Sequence, residues 1–165
     1  MLNGKARKFG DNISTDLIAP GRYFHLRSDL PELAKHTLED ADKDFALKVK
    51  PGDFVVAGEN FGLGSSREHA PIIIKLCKVS AVIAKSFSRI FFRNALNIGL
   101  PVLECNTDEI DDMDELDVDM SKGVIKNKTK AKEFRFQPLS SVALTLLEDG
   151  GLLQHIKKNN GLKLR

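Results

Sequence analysis

The stretch FVVAGENFGLGSSREHAPIIIKLCKVSAVIA, residues 54–84, decides the fold of this chain. It begins with Phe54-Val55-Val56-Ala57 and ends with Ala81-Val82-Ile83-Ala84, two short apolar runs that are typical of buried strands. A glycine-rich loop and an apolar segment at 72–78, which favours a helix, separate the two runs. Strand, loop, helix and strand in this order predict a crossover unit with parallel strands, and hence an α/β fold.

Further elements are predicted on both sides of this unit. They are a strand at 4–9, a helix within 31–45, a helix that Ser88 caps and that extends to Asn97, strands with charged outer faces at 124–125 and 133–137, and a helical pattern at 140–153 that Gly150 and Gly151 interrupt. A chain of 165 residues with 42% hydrophobic content can bury one core and rarely two. We therefore expect a single domain over residues 1–165.

The charge balance and the cysteines limit the classes of function. With 25 basic and 23 acidic residues the net charge is +2, which gives no field that would attract nucleic acid or an anionic membrane. No apolar stretch approaches the roughly 20 residues that span a bilayer. Cys77 and Cys105 lack partners at metal-ligand spacing and are too few for a disulfide framework. We expect a cytoplasmic protein that binds no nucleic acid, no membrane and no metal.

The loop Gly62-Leu63-Gly64-Ser65-Ser66-Arg67-Glu68-His69 is the candidate chemical site. Its glycines permit a turn and the close approach of a ligand, while the arginine and the next helix offer donors to an anion. A capping box is the alternative, because Ser65 and Glu68 have its spacing ahead of an apolar run. Pro71 weakens that alternative, since a proline deep in the helix would clash with the preceding turn. A helix that starts nearer to His69 leaves both serines in the loop.

Two familiar kinds of site are excluded by the composition of the loop. A Walker-type phosphate loop requires a Lys-Ser/Thr pair after its glycines, and this pair is missing from the sequence here. A hydrolase nucleophile elbow requires Gly-x-Ser-x-Gly, whereas Gly64-Ser65-Ser66-Arg67 lacks the second glycine. A small acidic ligand, bound through local charge, remains the best match.

Four blocks of sequence carry a resemblance to a known family. They are STDLIAPGRY at 14–23, GSSREHAP at 64–71, AKSFSRIFFRNA at 84–95 and GLPV at 99–102. In this order they resemble the small subunits of 3-isopropylmalate dehydratase, which correspond to the mobile swivel domain of aconitase. The resemblance implies an α/β fold described as a β/β/α layered barrel, with the chain as one swivelling domain.

The resemblance also implies an activity. Enzymes of the family are hydro-lyases that move a hydroxyl between adjacent carbons of a small di- or tricarboxylic acid, here by isomerising 2-isopropylmalate and 3-isopropylmalate for leucine biosynthesis. Their [4Fe-4S] cluster needs three cysteines, more than Cys77 and Cys105 provide. The cluster is therefore implied on a large partner subunit, in a heterodimer or heterotetramer, with no cofactor on this chain and no activity without the partner.

Several residues of this sequence match functional positions of the family. Ser65 matches the base that removes a proton from carbon, and Ser66 and Arg67 match residues that hold a substrate carboxylate. An alkoxide at Ser65 requires positioned donors, for which we expect the backbone at Gly62 and Gly64 to be essential.

Three further residues have a supporting role or a role in selectivity by the same resemblance. Asp16 matches an acidic residue that we expect to orient side chains of the large subunit, with a turn-stabilising aspartate as the alternative. Arg27 is the candidate for sensing the substrate side group. Its segment, 23–28, is about one residue longer than the family's Tyr-Leu-Arg-Thr. His69 either tunes the serines or is structural.

Several alternatives stay open from the sequence. The longer segment leaves homoaconitase-type and dimethylmalate-type dehydratases possible, although Phe24 and Leu26 favour a branched apolar substituent. A non-catalytic module that binds anions or other proteins is the alternative from another class. Arg89 and Arg93, four residues apart on one helix, either support the serine loop, dock the partner or are ordinary surface charge. His155 is predicted to lie on the surface.

Overall fold

The structure is a computed structural model that describes residues 1–164. Its elements, in chain order, are β1 (Leu2–Lys8), α1 (Thr15–Ile18), a 3₁₀ helix (Gly21–Ser28), α2 (Leu30–Ala34), α3 (Phe45–Lys48), β2 (Phe54–Val56), α4 (His69–Leu76), β3 (Ala81–Ala84), α5 (Arg89–Asn97), β4 (Val102–Glu104), β5 (Glu115–Asp119), β6 (Val124–Asn127), β7 (Lys132–Arg135), α6 (Ser141–Glu148) and α7 (Leu152–Asn159). No helix within residues 1–164 is long and apolar enough to cross a membrane.

The strands form a mixed sheet in the order β4-β3-β2-β1-β5-β6-β7. Strands β1 to β4 pair in parallel, with Ala6 opposite Phe54 and Val55 opposite Val82. Strands β5 to β7 are antiparallel and join the sheet through β1. The predicted crossover unit is confirmed, because β2, α4 and β3 follow one another and the two strands are parallel neighbours.

The two faces of the parallel strands contribute to two hydrophobic clusters. Val55, Val82 and Val102 pack in the cluster that the helices cover. The alternate residues, among them Phe54 and Ile83, pack in a second cluster with apolar side chains of β5 and β6. Since successive side chains of a strand point to opposite faces, the helices cover one face and the antiparallel strands curl over the other. The predicted β/β/α layering of the aconitase C-terminal domain is confirmed.

The predicted starts of two helices are confirmed. Helix α4 begins at His69, so Pro71 lies in the first turn as expected, and the alternative of a capping box at Ser65 is excluded because Glu68 precedes the helix without a side-chain cap. Helix α5 begins as predicted, since the Ser88 hydroxyl accepts a hydrogen bond from the Phe91 amide.

One predicted helix ends early, and one histidine is misplaced. The pattern at 31–45 breaks after Ala34, and Leu38 adopts a φ of +56° that no α-helix contains. The predicted interruption of the pattern at 140–153 is confirmed, because Gly150 and Gly151 separate α6 from α7. His155 is not a surface residue: its side chain is 1% exposed and lies 2.7 Å from Asp149. The sequence did not predict this burial, because polar and charged residues such as Gln154, Lys157 and Lys158 lie next to His155 in the chain.

Candidate active site

The serine loop, residues 62–68, lies where three parallel strands end. The chain reaches Thr15 after β1, the serine loop after β2 and Ser88 after β3. Carboxyl ends of parallel strands meet at one edge of a sheet, which is where ligands bind in open α/β folds. Backbone hydrogen bonds join the three segments: the Gly62 amide donates to Ile13 at 2.7 Å, and the Ser88 amide to Phe61 at 2.9 Å.

The two glycines of the serine loop are required for different reasons. Gly62 has a φ of +80°, and a Cβ atom on it would lie 2.3 Å from the ring of Phe91. Gly64 has a φ of +102°, but a Cβ atom there would meet nothing closer than the Thr15 hydroxyl at 3.4 Å. Gly62 is therefore needed for conformation and space, and Gly64 for conformation alone.

Ser65 and Ser66 are exposed in a narrow recess. The Thr15 hydroxyl donates a 2.8 Å hydrogen bond to the Ser65 carbonyl and so holds the backbone rather than the side chain. Within the described part of the chain, neither serine hydroxyl has a hydrogen-bond partner. Both hydroxyls are thus available to a ligand, while the backbone that presents them is held in place.

Arg67 joins the serine loop to the segment after β1. Its Nη1 donates to the Ala19 carbonyl at 2.6 Å, and its Nη2 lies 2.5 Å from the Asp16 carboxylate. The arginine side chain is 17% exposed and the aspartate 69%. A guanidinium carries five N–H donors, so these two contacts leave donors for a carboxylate ligand. The structure brings Asp16 to Arg67, whereas its expected action on the large subunit stays a prediction.

Arg27 reaches the same region through aromatic contacts. Its guanidinium carbon lies 4.2 Å from the centroid of the Phe24 ring, and its Nη1 donates to the Phe24 carbonyl at 3.1 Å. Phe24, 49% exposed, meets His69 edge to face at 6.2 Å. The segment at 23–28 lies within the 3₁₀ helix Gly21–Ser28, which sets this spacing.

His69 lies close enough to Arg67 and Arg27 for both positive charges to affect the pKa of its imidazole. Burial lowers the pKa of its imidazole, and the charges of Arg67 and Arg27 lower it further. A lowered pKa favours the neutral ring at physiological pH. His69 therefore adds no positive charge that would compete with the arginines for an anion.

The sequence did not indicate the residues that enclose the recess from α5. Ile90, Phe91 and Asn94 line it, and the Ser88 hydroxyl donates to the Gly62 carbonyl at 2.9 Å in addition to capping the helix. The spacing of Ile90 and Asn94, four residues apart on one helix, places them on one side. It does not indicate which loop lies beside them, because that contact depends on tertiary packing.

The described residues do not fit an iron–sulfur cluster. No group of three or more His, Cys, Asp or Glu side chains within residues 1–164 could hold a metal ion. Burial raises the pKa of the Cys105 thiol to about 11 and also raises that of Cys77, which disfavours the thiolate that metals bind. The arrangement offers two hydroxyls, two guanidinium groups and a neutral imidazole, which suits a small carboxylic acid.

Comparisons with known proteins agree with this arrangement. The sequence pattern of the aconitase C-terminal domain matches residues 7–108, which include every candidate site residue. The chain is 61% identical to 3-isopropylmalate dehydratase small subunit 2 of Archaeoglobus fulgidus over 161 residues, covering 98% of each. It is 59% identical to small subunit 1 of Thermotoga maritima over 160 residues, covering 96% of each. It is also similar to a crystal structure of 3-isopropylmalate dehydratase from Methanocaldococcus jannaschii, with a TM-score of 0.91, 48% identity, and coverage of 96% of this chain and 95% of that chain.

Proposed function

The chain belongs to the small subunits of 3-isopropylmalate dehydratase, within the aconitase C-terminal domain family, and from this premise we propose how its residues serve the reaction. It is the small subunit of a hydro-lyase that isomerises 2-isopropylmalate and 3-isopropylmalate in leucine biosynthesis. The observation that carries this function is the identity of 61% over nearly the whole chain. The exposed serine pair beside Arg67 is the structural feature on which the residue roles depend.

We propose that Ser65 transfers the proton. Its Oγ removes a proton from the carbon next to the one that bears the hydroxyl, a carbon–carbon double bond forms, and the hydroxyl leaves with its electron pair. Return of the proton to one carbon and of the hydroxyl to the other gives the isomer. A hydroxyl loses its proton only among positioned donors. The candidates nearest to Ser65 in the chain are the amides after Gly64, the start of α4 and Arg67, which would have to turn towards the hydroxyl when substrate binds.

Ser66 and Arg67 hold a substrate carboxylate in this proposal, and Asp16 keeps the guanidinium oriented. The ion pair of 2.5 Å between Asp16 and Arg67 and the bond from Arg67 to Ala19 support this role, because they fix the plane of the guanidinium. A fixed planar fork binds a carboxylate with two parallel hydrogen bonds.

Arg27 and Phe24 select the side group of the substrate. The guanidinium packs on the Phe24 ring, which leaves an apolar and a cationic surface next to each other. The apolar surface of the Phe24 ring favours the isopropyl group. An Arg27 guanidinium that did not pack on the ring would instead favour the extra carboxylate of a homoaconitase substrate. The exposed Phe24 ring supports isopropylmalate over the homoaconitase-type alternative, while the dimethylmalate-type alternative is left to the assay.

We further propose that the chain works as one swivelling domain that closes on a large subunit. Being a small subunit implies such a partner. A [4Fe-4S] cluster on that partner would supply the Lewis acid for the substrate hydroxyl. We assign the complex to the cytoplasm, because the free thiols Cys77 and Cys105 suit a reducing compartment.

Reconstitution with the purified large subunit tests this function. We expect formation of an unsaturated acid from isopropylmalate in the mixture and none from the small chain alone. Homocitrate and dimethylmalate, assayed in parallel, should react more slowly. Faster turnover of either would reassign the substrate, and a mixture that binds the acids without turnover would favour the non-catalytic module.

A further inference from the structure

A groove of about 350 Å³ lies beside α5, separate from the serine recess. Its walls are mainly apolar side chains of α5, β4, the residues just before α5 and the segment at 137–143, among them Phe87, Phe92, Leu96, Val102 and Leu139. Arg89 and Arg93 line it from α5, and both are exposed. The groove therefore combines an apolar floor with a cationic rim.

The two arginines are not neutralised by the rest of the described chain. Neither guanidinium lies within ion-pair distance of a carboxylate in residues 1–164, and Glu104, which also lines the groove, is beyond that distance from both. Elsewhere, the exposed Arg22 pairs with Glu39 and Asp40. Free cations at an apolar surface are complementary to a partner that presents carboxylates.

The groove and the serine recess lie along the same side of α5. At about 3.6 residues per turn, the side chains that follow one another around this side of the helix are Leu96, Arg89, Arg93, Asn97, Ile90 and Asn94. The first three belong to the groove or its rim, and Ile90 and Asn94 line the recess. Ile90 is 50% exposed although it is a large apolar residue. A protein that closes over Ser65 must approach this same side of α5.

We propose that the groove binds a segment of the large subunit that presents an apolar side chain flanked by carboxylates. This inference rests on the proposed function, which requires a partner subunit at the serine recess. The apolar side chain fills the space between Phe92 and Leu139, and the carboxylates pair with Arg89 and Arg93. The partner is thereby anchored on α5 beside the recess that it completes.

The test is the affinity of the large subunit for a small-subunit variant with Arg89→Glu and Arg93→Glu. We expect the Kd, measured by calorimetry at low salt, to rise about tenfold or more, because two attractive contacts become repulsive. The salt dependence of the Kd should also become weaker. Turnover should recover when the variant is added in excess. A pair of Gln substitutions at the same positions should give an intermediate Kd.

The matched control is Lys122→Glu with Lys126→Glu, a basic pair of the same spacing at β6, which should change the Kd less than about twofold. Thermal melting establishes that each variant is folded. A Kd for the arginine variant that equals that of the control overturns the groove proposal alone. So does a change confined to self-association of the small subunit. A wild-type pair that neither binds nor converts isopropylmalate overturns the proposed function, and this inference with it.

Discussion

The serine loop and the 3₁₀ helix Gly21–Ser28 contribute to one site but are held in opposite ways. The serine loop is fixed by contacts that are distant in sequence, such as Thr15 to Ser65 and Arg67 to Ala19. The side-chain hydrogen bonds and ion pairs of the 3₁₀ helix join residues that are closer in the sequence. Arg27 and Phe24 are 3 positions apart, and Arg22 and Asp40 are 18 positions apart. The difference indicates that the chemistry depends on the whole fold, whereas selectivity depends on a segment that can vary locally.

The largest expected effect is that of Ser65→Ala, which removes the proposed base. We expect kcat to fall about 10²–10⁴-fold with an unchanged melting temperature, because the hydroxyl has no structural hydrogen bond in the described chain. Steady-state assays of the reconstituted enzyme measure this. Ser121→Ala, in an exposed turn, is the control. Full turnover of the Ser65 variant would remove the base from the mechanism.

Gly62→Ala tests how strictly the fold holds the serine loop. The added Cβ would collide with Phe91 in a backbone conformation that alanine rarely adopts, so we expect a loss of about 2–4 kcal/mol in the free energy of unfolding. Denaturant titration measures this, and turnover should fall as well. Gly10→Ala, where a Cβ atom meets nothing within 4 Å, is the control. Equal stability of the two variants would show that the loop can move away from α5.

Arg67→Lys tests whether the planar guanidinium group is needed to bind the substrate carboxylate. A lysine cannot reach Asp16, Ala19 and a carboxylate together, so we expect KM to rise about 10–100-fold with a smaller change in kcat. Arg22→Lys, the same substitution in the 3₁₀ helix, should leave KM within about twofold because exposed ion pairs contribute little. If the two substitutions had equal effects, the proposed contrast between the regions would be lost.

Arg27→Ala should alter selectivity more than rate. We expect the ratio of kcat/KM for isopropylmalate and homocitrate to shift by about tenfold, while the fold stays intact because the arginine is exposed. Competition assays with both acids measure the ratio. Arg135→Ala, on β7, is the control. An unchanged ratio would show that the 3₁₀ helix does not select the side group.

The smallest expected effect is a pH dependence from His69. Because the folded state lowers the pKa of its imidazole, the unfolded chain binds the proton more tightly, and stability is lost as the pH falls below the ordinary histidine range. Melting temperatures at pH 7.5 and 5.5 should differ more for the wild type than for His69→Gln. His25→Gln should resemble the wild type. The reverse order would mean that the ring is charged in the folded protein.

Local features of the sequence were sufficient for much of the fold. Apolar runs at 54–57 and 81–84 predicted parallel strands, and Pro71 located the start of α4, because a proline is tolerated only in the first turn. The prediction that Ser88 caps α5 was also correct, because a cap depends only on residues within the first turn of the helix. The roles of Ser65, Ser66 and Arg67 came from a resemblance and stay predictions.

Contacts between distant residues could not be predicted. The burial of His155, the break after Ala34 and the side chains of α5 beside the serine recess all depend on which segments pack together. The pairing of Asp16 with Arg67 is of the same kind. A pattern of residue types indicates which face of an element is apolar, but it does not specify the neighbour of that face.

By itself, the amino-acid sequence determined the family and the crossover unit, because these follow from local geometry and from motifs. Only the tertiary structure decided that the segment after β1 fixes Arg67, that Phe91 excludes a side chain at Gly62, and that a groove with a cationic rim lies on the same side of α5 as the recess. The physical reason is that these contacts join residues far apart in the chain, such as Arg67 and Ala19 at a separation of 48 positions, and chain connectivity alone does not bring them together.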